Sequence, residues 1–178
     1  MSLETVYGFS LLVLAFIVVI NFMISLGLIH KINKPPSLNE PNTLIGQKAP
    51  HFEGELDTGV KLDSAKLLGK PYLLVFVSPT CQSCKKLIQS LTKSLDKTPN
   101  NKSEIIFIND GSEEEAIKLR QEENINHPIL IAPRNNNSIY KNFRVQYTPA
   151  FALVNEEGTI EDIGVLDSKK DLILKFLK

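Results

Sequence analysis

The sequence predicts an α/β fold, a mixed central sheet flanked by helices, behind an N-terminal transmembrane helix. Three patterns predict it. Apolar runs of buried-strand length alternate with helical stretches, the last two runs are joined by a hairpin-type turn, and the chain opens on a long uncharged apolar run.

The opening run, "VYGFSLLVLAFIVVINFMISLGLI" (Val6 to Ile29), carries no charge. At about 1.5 Å per residue it is long enough to cross a hydrocarbon core of roughly 30 Å. A cleaved signal peptide would need a basic lead, an apolar core of only about 7–15 residues and a small-residue cleavage site. Met1 to Thr5 holds no Lys or Arg, "LGLIHKINK" offers no such site, and no cysteine follows for a lipid anchor. Residues 1–30 are therefore read as an uncleaved anchor. Lys31, Lys34 and Lys48 follow it and no Lys or Arg precedes it. The positive-inside rule thus places the rest of the chain in the cytoplasm, although long domains cross largely regardless of charge.

Residues 31–43 contain Pro35, Pro36 and Pro41, which fix φ and remove donors, so this stretch is expected to run extended as a tether. The folded domain is expected over 44–178. Within it "PYLLVFVS" (Pro71 to Ser78) reads as a buried strand, and the next stretch places Cys84, Leu87, Leu91 and Leu95 at helical spacing. "EIIFIND" is a second buried strand. "GSEEEAIKLRQEEN" has an acidic first turn and later basic residues, which suit a helix dipole. "HPILIAP" is a short strand and "NNSIYKNFRV" one or two helical turns. "AFALVNEEGTIEDIGVL" is a hairpin turning at Asn155 to Gly158, and "DSKKDLILKFLK" is a closing helix capped by Asp167 or Ser168.

Twenty acidic residues balance twenty basic ones, which argues against nucleic acid as the main partner. The two cysteines, too few for a disulfide framework, lie together in "VSPTCQSCKK". Cys81 falls where strand gives way to helix. Backbone N–H groups there lack intrahelical partners, so those donors and the positive end of the helix dipole stabilise a thiolate. Cys84, one turn later on the same face, is placed to resolve a mixed disulfide. A zinc site would need more ligands, and His30, His51 and His127 show no H-x₃₋₅-H pairing. Inert core thiols would fit an apolar pattern better than "PTCQSCKK". A redox pair is the preferred reading, and no metal or cofactor is implied.

"LIGQKAPHF" followed by "GVKLDSAKLLGKPYLLVFVSPTCQSCKK" resembles membrane-anchored thioredoxin-like proteins of the TlpA/ResA type, through Gly46, Ala49, Pro50, Phe52, Gly69, Lys70, Cys81 and Cys84. The S-P-T-C-x-x-C-K form at Ser78 to Lys85 is similar to that of the MauD family of methylamine utilisation proteins. With the anchor and "RVQYTPAFALVNEEGTI", the likeness spans nearly the whole chain. The resemblance implies a thioredoxin-like fold and protein thiol:disulfide oxidoreductase activity. It implies Cys81 and Cys84 as catalytic residues, a cis Pro149 facing them, and Thr148, Pro149 and Thr80 as the residues that bind the substrate. Backbone groups of Thr148 would bind an extended client segment by strand addition.

The chain departs from that pattern. Thr80 and Ser83 stand where thioredoxins have Trp and Pro, and Val75 replaces their buried acid. Deprotonation of Cys84 must then use water, Lys85, Lys86 or another acid, and the direction of electron flow stays open. The implied partners are a client protein bearing cysteines or a disulfide, and a membrane or soluble redox partner that recycles the pair. A MauD-like client would be a disulfide-containing methylamine dehydrogenase subunit. Redox pairs of this family work outside the cytoplasm, where disulfides persist, so the domain is expected on the outer face of the cytoplasmic membrane, against the Lys bias. Two alternatives stay in view. One is a peroxiredoxin-like peroxidase, although Leu74 occupies the proline position of P-x-x-x-[TS]-x-x-C. The other is a non-catalytic maturation chaperone.

Overall fold

A computed structural model describes residues 3–32, 43–95, 103–165, 173 and 175. The chain divides into two compact units, 1–40 and 41–178. The tether and the closing helix with its cap at Asp167 or Ser168 lie largely outside the described residues.

The first unit holds helix α1 (Leu3–Ile32). Its stretch Tyr7–Leu26 is long and apolar enough to span a membrane. Apolar side chains are exposed on every side of this stretch, as with Phe9 and Leu12, so the helix has no dry face of its own within the unit.

The second unit is built on a seven-stranded sheet. Its strands are β1 (Glu53–Leu56), β2 (Lys61–Asp63), β3 (Tyr72–Val77), β4 (Glu104–Asn109), β5 (Ile129–Ile131), β6 (Ala150–Val154) and β7 (Ile160–Val165). The spatial order is β2-β1-β5-β4-β3-β6-β7. β3, β4 and β5 run parallel and the outer pairings are antiparallel, which gives the mixed sheet that the sequence predicts. β3 is central and buried along its whole length, which explains its unbroken apolar run.

Helices fill both faces. α2 (Gln82–Leu95) and α3 (Glu113–Glu123) connect the parallel strands, and the short α4 (Ile139–Asn142) precedes β6. Leu73, Val75 and Val77 pack with Cys84, Leu87, Ile88 and Leu91 of α2 and with Ala116 and Leu119 of α3. On the other face Leu74 and Phe76 pack with Phe52, Ile139, Tyr140 and Phe143. There the Phe76 ring meets Tyr140 edge-on, with centroids 5.2 Å apart. Ser112 and Glu115 form a reciprocal capping box on α3, which fixes where that helix begins. The β6–β7 turn closes through Asn155, whose side chain accepts from the Thr159 N–H at 2.8 Å, while Gly158 takes a positive φ.

The hairpin β1–β2 was not among the predicted elements. It turns at Gly59, whose φ is +79°, and it pairs β1 with β5. A 3-10 turn, Ser64–Leu67, follows it, capped by the Asp63 carboxylate accepting from the Ala65 N–H.

Candidate active site at the end of the central strand

β3 ends at Val77, and Ser78-Pro79-Thr80 turns the chain into α2. The Cys81 N–H closes that turn on the Ser78 carbonyl at 3.1 Å. Cys81 stands at the N-cap of α2: its carbonyl accepts from the Lys85 N–H at 3.2 Å, and its sulfur accepts from the Cys84 N–H, also at 3.2 Å. Sulfur thus takes the place that a Ser or Asp oxygen takes in an ordinary N-cap, and one helix-end donor is aimed at it. Both thiols are free.

The two sulfurs sit in different surroundings. Cys81 is half-buried at the rim, while Cys84 is fully buried among Val75, Val77 and the apolar residues of α2. Burial, helped by the hydrogen bond with Cys81, pushes the Cys84 thiol up to about 12. Val75, in the place of the acid that thioredoxins bury, is part of the same apolar wall. Lys85 does not stand free as a proton acceptor. Its Nζ donates to Glu122 Oε2 at 2.7 Å, which holds the ammonium charged and raises its pKa while lowering that of Glu122.

Opposite the pair, the Thr148–Pro149 peptide is cis and the Thr148 carbonyl accepts from the Cys81 thiol at 3.6 Å. Cys81, Cys84, Thr148 and Pro149 are therefore brought together. Thr80 is exposed at the rim, and its hydroxyl contacts that of Ser78 at 3.3 Å.

Sequence reasoning missed a second layer around these residues. Gly111, just after β4, lies so near the active-site turn that a Cβ there would stand 2.7 Å from the Pro79 ring. Asp110 and Arg134 pair at 3.0 Å, and the Arg134 guanidinium lies 4.3 Å from the Tyr140 ring centre. Asn109, opposite Val77 in the β3–β4 register, is fully buried and its Oδ1 has no hydrogen-bond partner among the described residues. Tyr147, beside Thr148, is 56% exposed.

The family comparison adds to this geometry. The model of the AhpC/TSA family matches residues 45–163, which include the cysteine pair, Thr148 and Pro149. The chain belongs to the AhpC/TSA family. Within that frame it is similar to the methylamine utilisation protein MauD of Paracoccus versutus, at 27% identity over 158 residues, covering 88% of this chain and 77% of the relative. A putative protein disulfide isomerase from Bacteroides thetaiotaomicron matches with a TM-score of 0.65 and 22% identity, over 74% of this chain and 86% of that one. The reduced 2-Cys peroxiredoxin of Plasmodium vivax matches with a TM-score of 0.63 and 22% identity, over 76% of this chain and 94% of that one. These likenesses establish the thioredoxin-like fold for this AhpC/TSA chain.

Proposed function

We propose that the protein is a membrane-tethered thiol:disulfide oxidoreductase, with residues 1–30 as anchor, 31–43 as tether and 44–178 as the catalytic domain. The observation that carries this reading is the cap of α2. One helix-end N–H is aimed at the rim sulfur of Cys81, while the thiol of Cys84 is held buried one turn below.

Cys81 as thiolate attacks one sulfur of a client disulfide; the client S–S bond breaks, the other client sulfur leaves and takes a proton, and a mixed disulfide forms. Cys84, once deprotonated, attacks the Cys81 sulfur. The mixed disulfide breaks, the client leaves as a dithiol, and the protein holds a Cys81–Cys84 disulfide. With a client dithiol the same steps run in reverse. A membrane or soluble redox partner restores the pair. Thr148 offers backbone groups to the client segment, Pro149 shapes that edge, and Thr80 lies beside it.

Likeness to MauD supports a client whose maturation requires disulfides, such as a methylamine dehydrogenase subunit. An exported client places the domain on the outer face of the cytoplasmic membrane, against the Lys bias at the anchor. Impermeant thiol labelling of Cys81 in intact cells tests this, and protection until lysis overturns it.

Cys84→Ser should accumulate a mixed disulfide with client, and Cys81→Ser should abolish both that adduct and disulfide turnover. Turnover that survives Cys81→Ser would sink the reading. The AhpC/TSA family match favours a second reading, a peroxidase. Against it, Leu74 lies buried in β3 where the peroxidase motif has proline. Peroxide consumption coupled to thiol oxidation would favour that reading instead.

A further inference from the structure

We propose that Arg134 is a positioning residue, clamping the segment 145–148 that receives the client against the strand ends that carry the cysteine pair. The inference deepens the disulfide-exchange reading and rests on it.

The segment needs such a clamp. Arg144 takes a left-handed φ of 55° after α4, and the chain joins the sheet again only at Ala150. Between them the Val145 N–H is held by the Tyr140 carbonyl at 2.8 Å. The Val145 and Gln146 carbonyls both accept from Arg134 Nη1, each at 3.4 Å. Two residues further on, the Thr148 carbonyl meets the Cys81 sulfur.

Arg134 ties this segment to both strand ends. Its Nε donates to Asp110 Oδ2 at 3.0 Å, and the Asp110 N–H in turn donates to the Val77 carbonyl at 3.2 Å. Its guanidinium stacks on Tyr140, whose hydroxyl lies 2.9 Å from the Val77 carbonyl and 2.8 Å from that of Ile108. The hydroxyl has one hydrogen, so it donates to one of these oxygens at a time. Val77 is the last residue of β3 before the active-site turn, Ile108 is the penultimate residue of β4, and Asp110 directly follows that strand. The arrangement demands a planar fork. Arginine donates in its plane to a carboxylate and to carbonyls while presenting a face to the ring, whereas lysine supplies a point charge alone.

The test uses the full-length chain in detergent micelles, with wild type, Arg134→Met, Arg134→Lys and Asp110→Asn. For a cysteine-bridged peptide substrate, Arg134→Met should raise KM about tenfold with kcat within about twofold, the signature of lost binding rather than lost chemistry. Arg134→Lys and Asp110→Asn should fall between. Alkylation of Cys81 by a small uncharged reagent should change less than about twofold, because the cap of α2 stays intact. Amide hydrogen exchange at Val145, whose N–H donates to the Tyr140 carbonyl, should quicken about tenfold or more in Arg134→Met, with β3 and α2 amides unchanged. An unchanged KM, unchanged exchange at Val145, or Arg134→Lys indistinguishable from wild type would overturn the proposal. If the wild type turns over no disulfide, the functional reading fails, and hydrogen exchange alone decides whether Arg134 clamps the segment.

Discussion

Arg120 and Arg134 make the same kind of bonds on either side of β5, and the settings differ. Arg120 forks onto Asp57 and onto the carbonyls of Ile125 and His127, just before the strand begins. Arg134 forks onto Asp110 and the carbonyls of Val145 and Gln146, beyond the strand's end. The Asp57 side chain is only 1% exposed and that of Asp110 is 15% exposed. In the first clamp water reaches the Arg120 side chain, which is 28% exposed, but hardly the carboxylate. In the second it reaches both partners, so losing that clamp costs the fold less. The comparison separates what an arginine does for folding from what it does for a site.

The largest expected effect tests the buried clamp. Asp57→Ala takes the carboxylate from Arg120, which keeps the carbonyls of Ile125 and His127, and takes the side-chain acceptor from the Ile129 N–H. It should cost about 1–3 kcal/mol of stability in urea denaturation, the range for leaving a buried donor without its acceptor. Asp110→Ala should cost no more than about 1 kcal/mol, since its partner reaches solvent. Equal costs for the two would break the comparison.

A second, smaller effect separates the two ends of the sheet by pH. Cys84 at the site end is raised to about 12 by burial, and so is Tyr72 at the start of β3. Tyr140 is raised as well, first by burial and then by the Asp110 charge. Each raised pKa keeps the neutral form in the folded state, so the stability it contributes is complete below the unfolded-state pKa and is lost as pH rises toward the folded one. The Cys84 contribution should start to fall near 9.0, its unperturbed value, and that of Tyr72 near 10.0. The slope should be at most about 1.4 kcal/mol per pH unit for each group. Cys84→Ala should flatten the curve between those two onsets and leave the tyrosine part in place. Urea midpoints of the reduced protein measured across this range decide it.

The smallest effect concerns a surface pair that neighbours the site without clamping it. Lys85→Gln removes the ion pair with Glu122 and should leave stability nearly unchanged and disulfide turnover within about twofold. A loss well beyond that, in stopped-flow reduction of a peptide disulfide, would make Lys85 a proton carrier for Cys84.

The sheet's centre was legible in the sequence because burial on both faces writes itself as unbroken apolar runs, as in "YLLVFV" and "EIIFIN". Its β1–β2 edge was not. "EGEL" and "KLD" are too short to show a period, and their buried contributions come down to Leu56 and Leu62. One local signal was present in Asp57-Thr58-Gly59, a turn sequence that the left-handed Gly59 fulfils. Cys81 and Cys84 announced themselves through spacing within a single helical turn. The Arg134 clamp could not, because Asp110, Arg134 and Tyr140 lie on three separate segments, and "APRNNN" on its own is an ordinary polar loop. Asn109 was hidden for a different reason. A single buried amide at the end of an apolar run looks like the strand's solvent-facing stop.

In the proposed exchange, the contact between the Cys81 thiol and the Thr148 carbonyl carries a consequence for the timing of client capture. A thiol has a hydrogen to give that carbonyl and a thiolate has none. The ionisation that arms the sulfur therefore also leaves a backbone oxygen without its donor, within 3.6 Å of the reacting atom. An arriving extended chain can supply an amide hydrogen to that oxygen as its own sulfur approaches. In the proposed exchange, proton loss would turn that internal bond into a landing point, so that readiness to react and readiness to bind would come from one event.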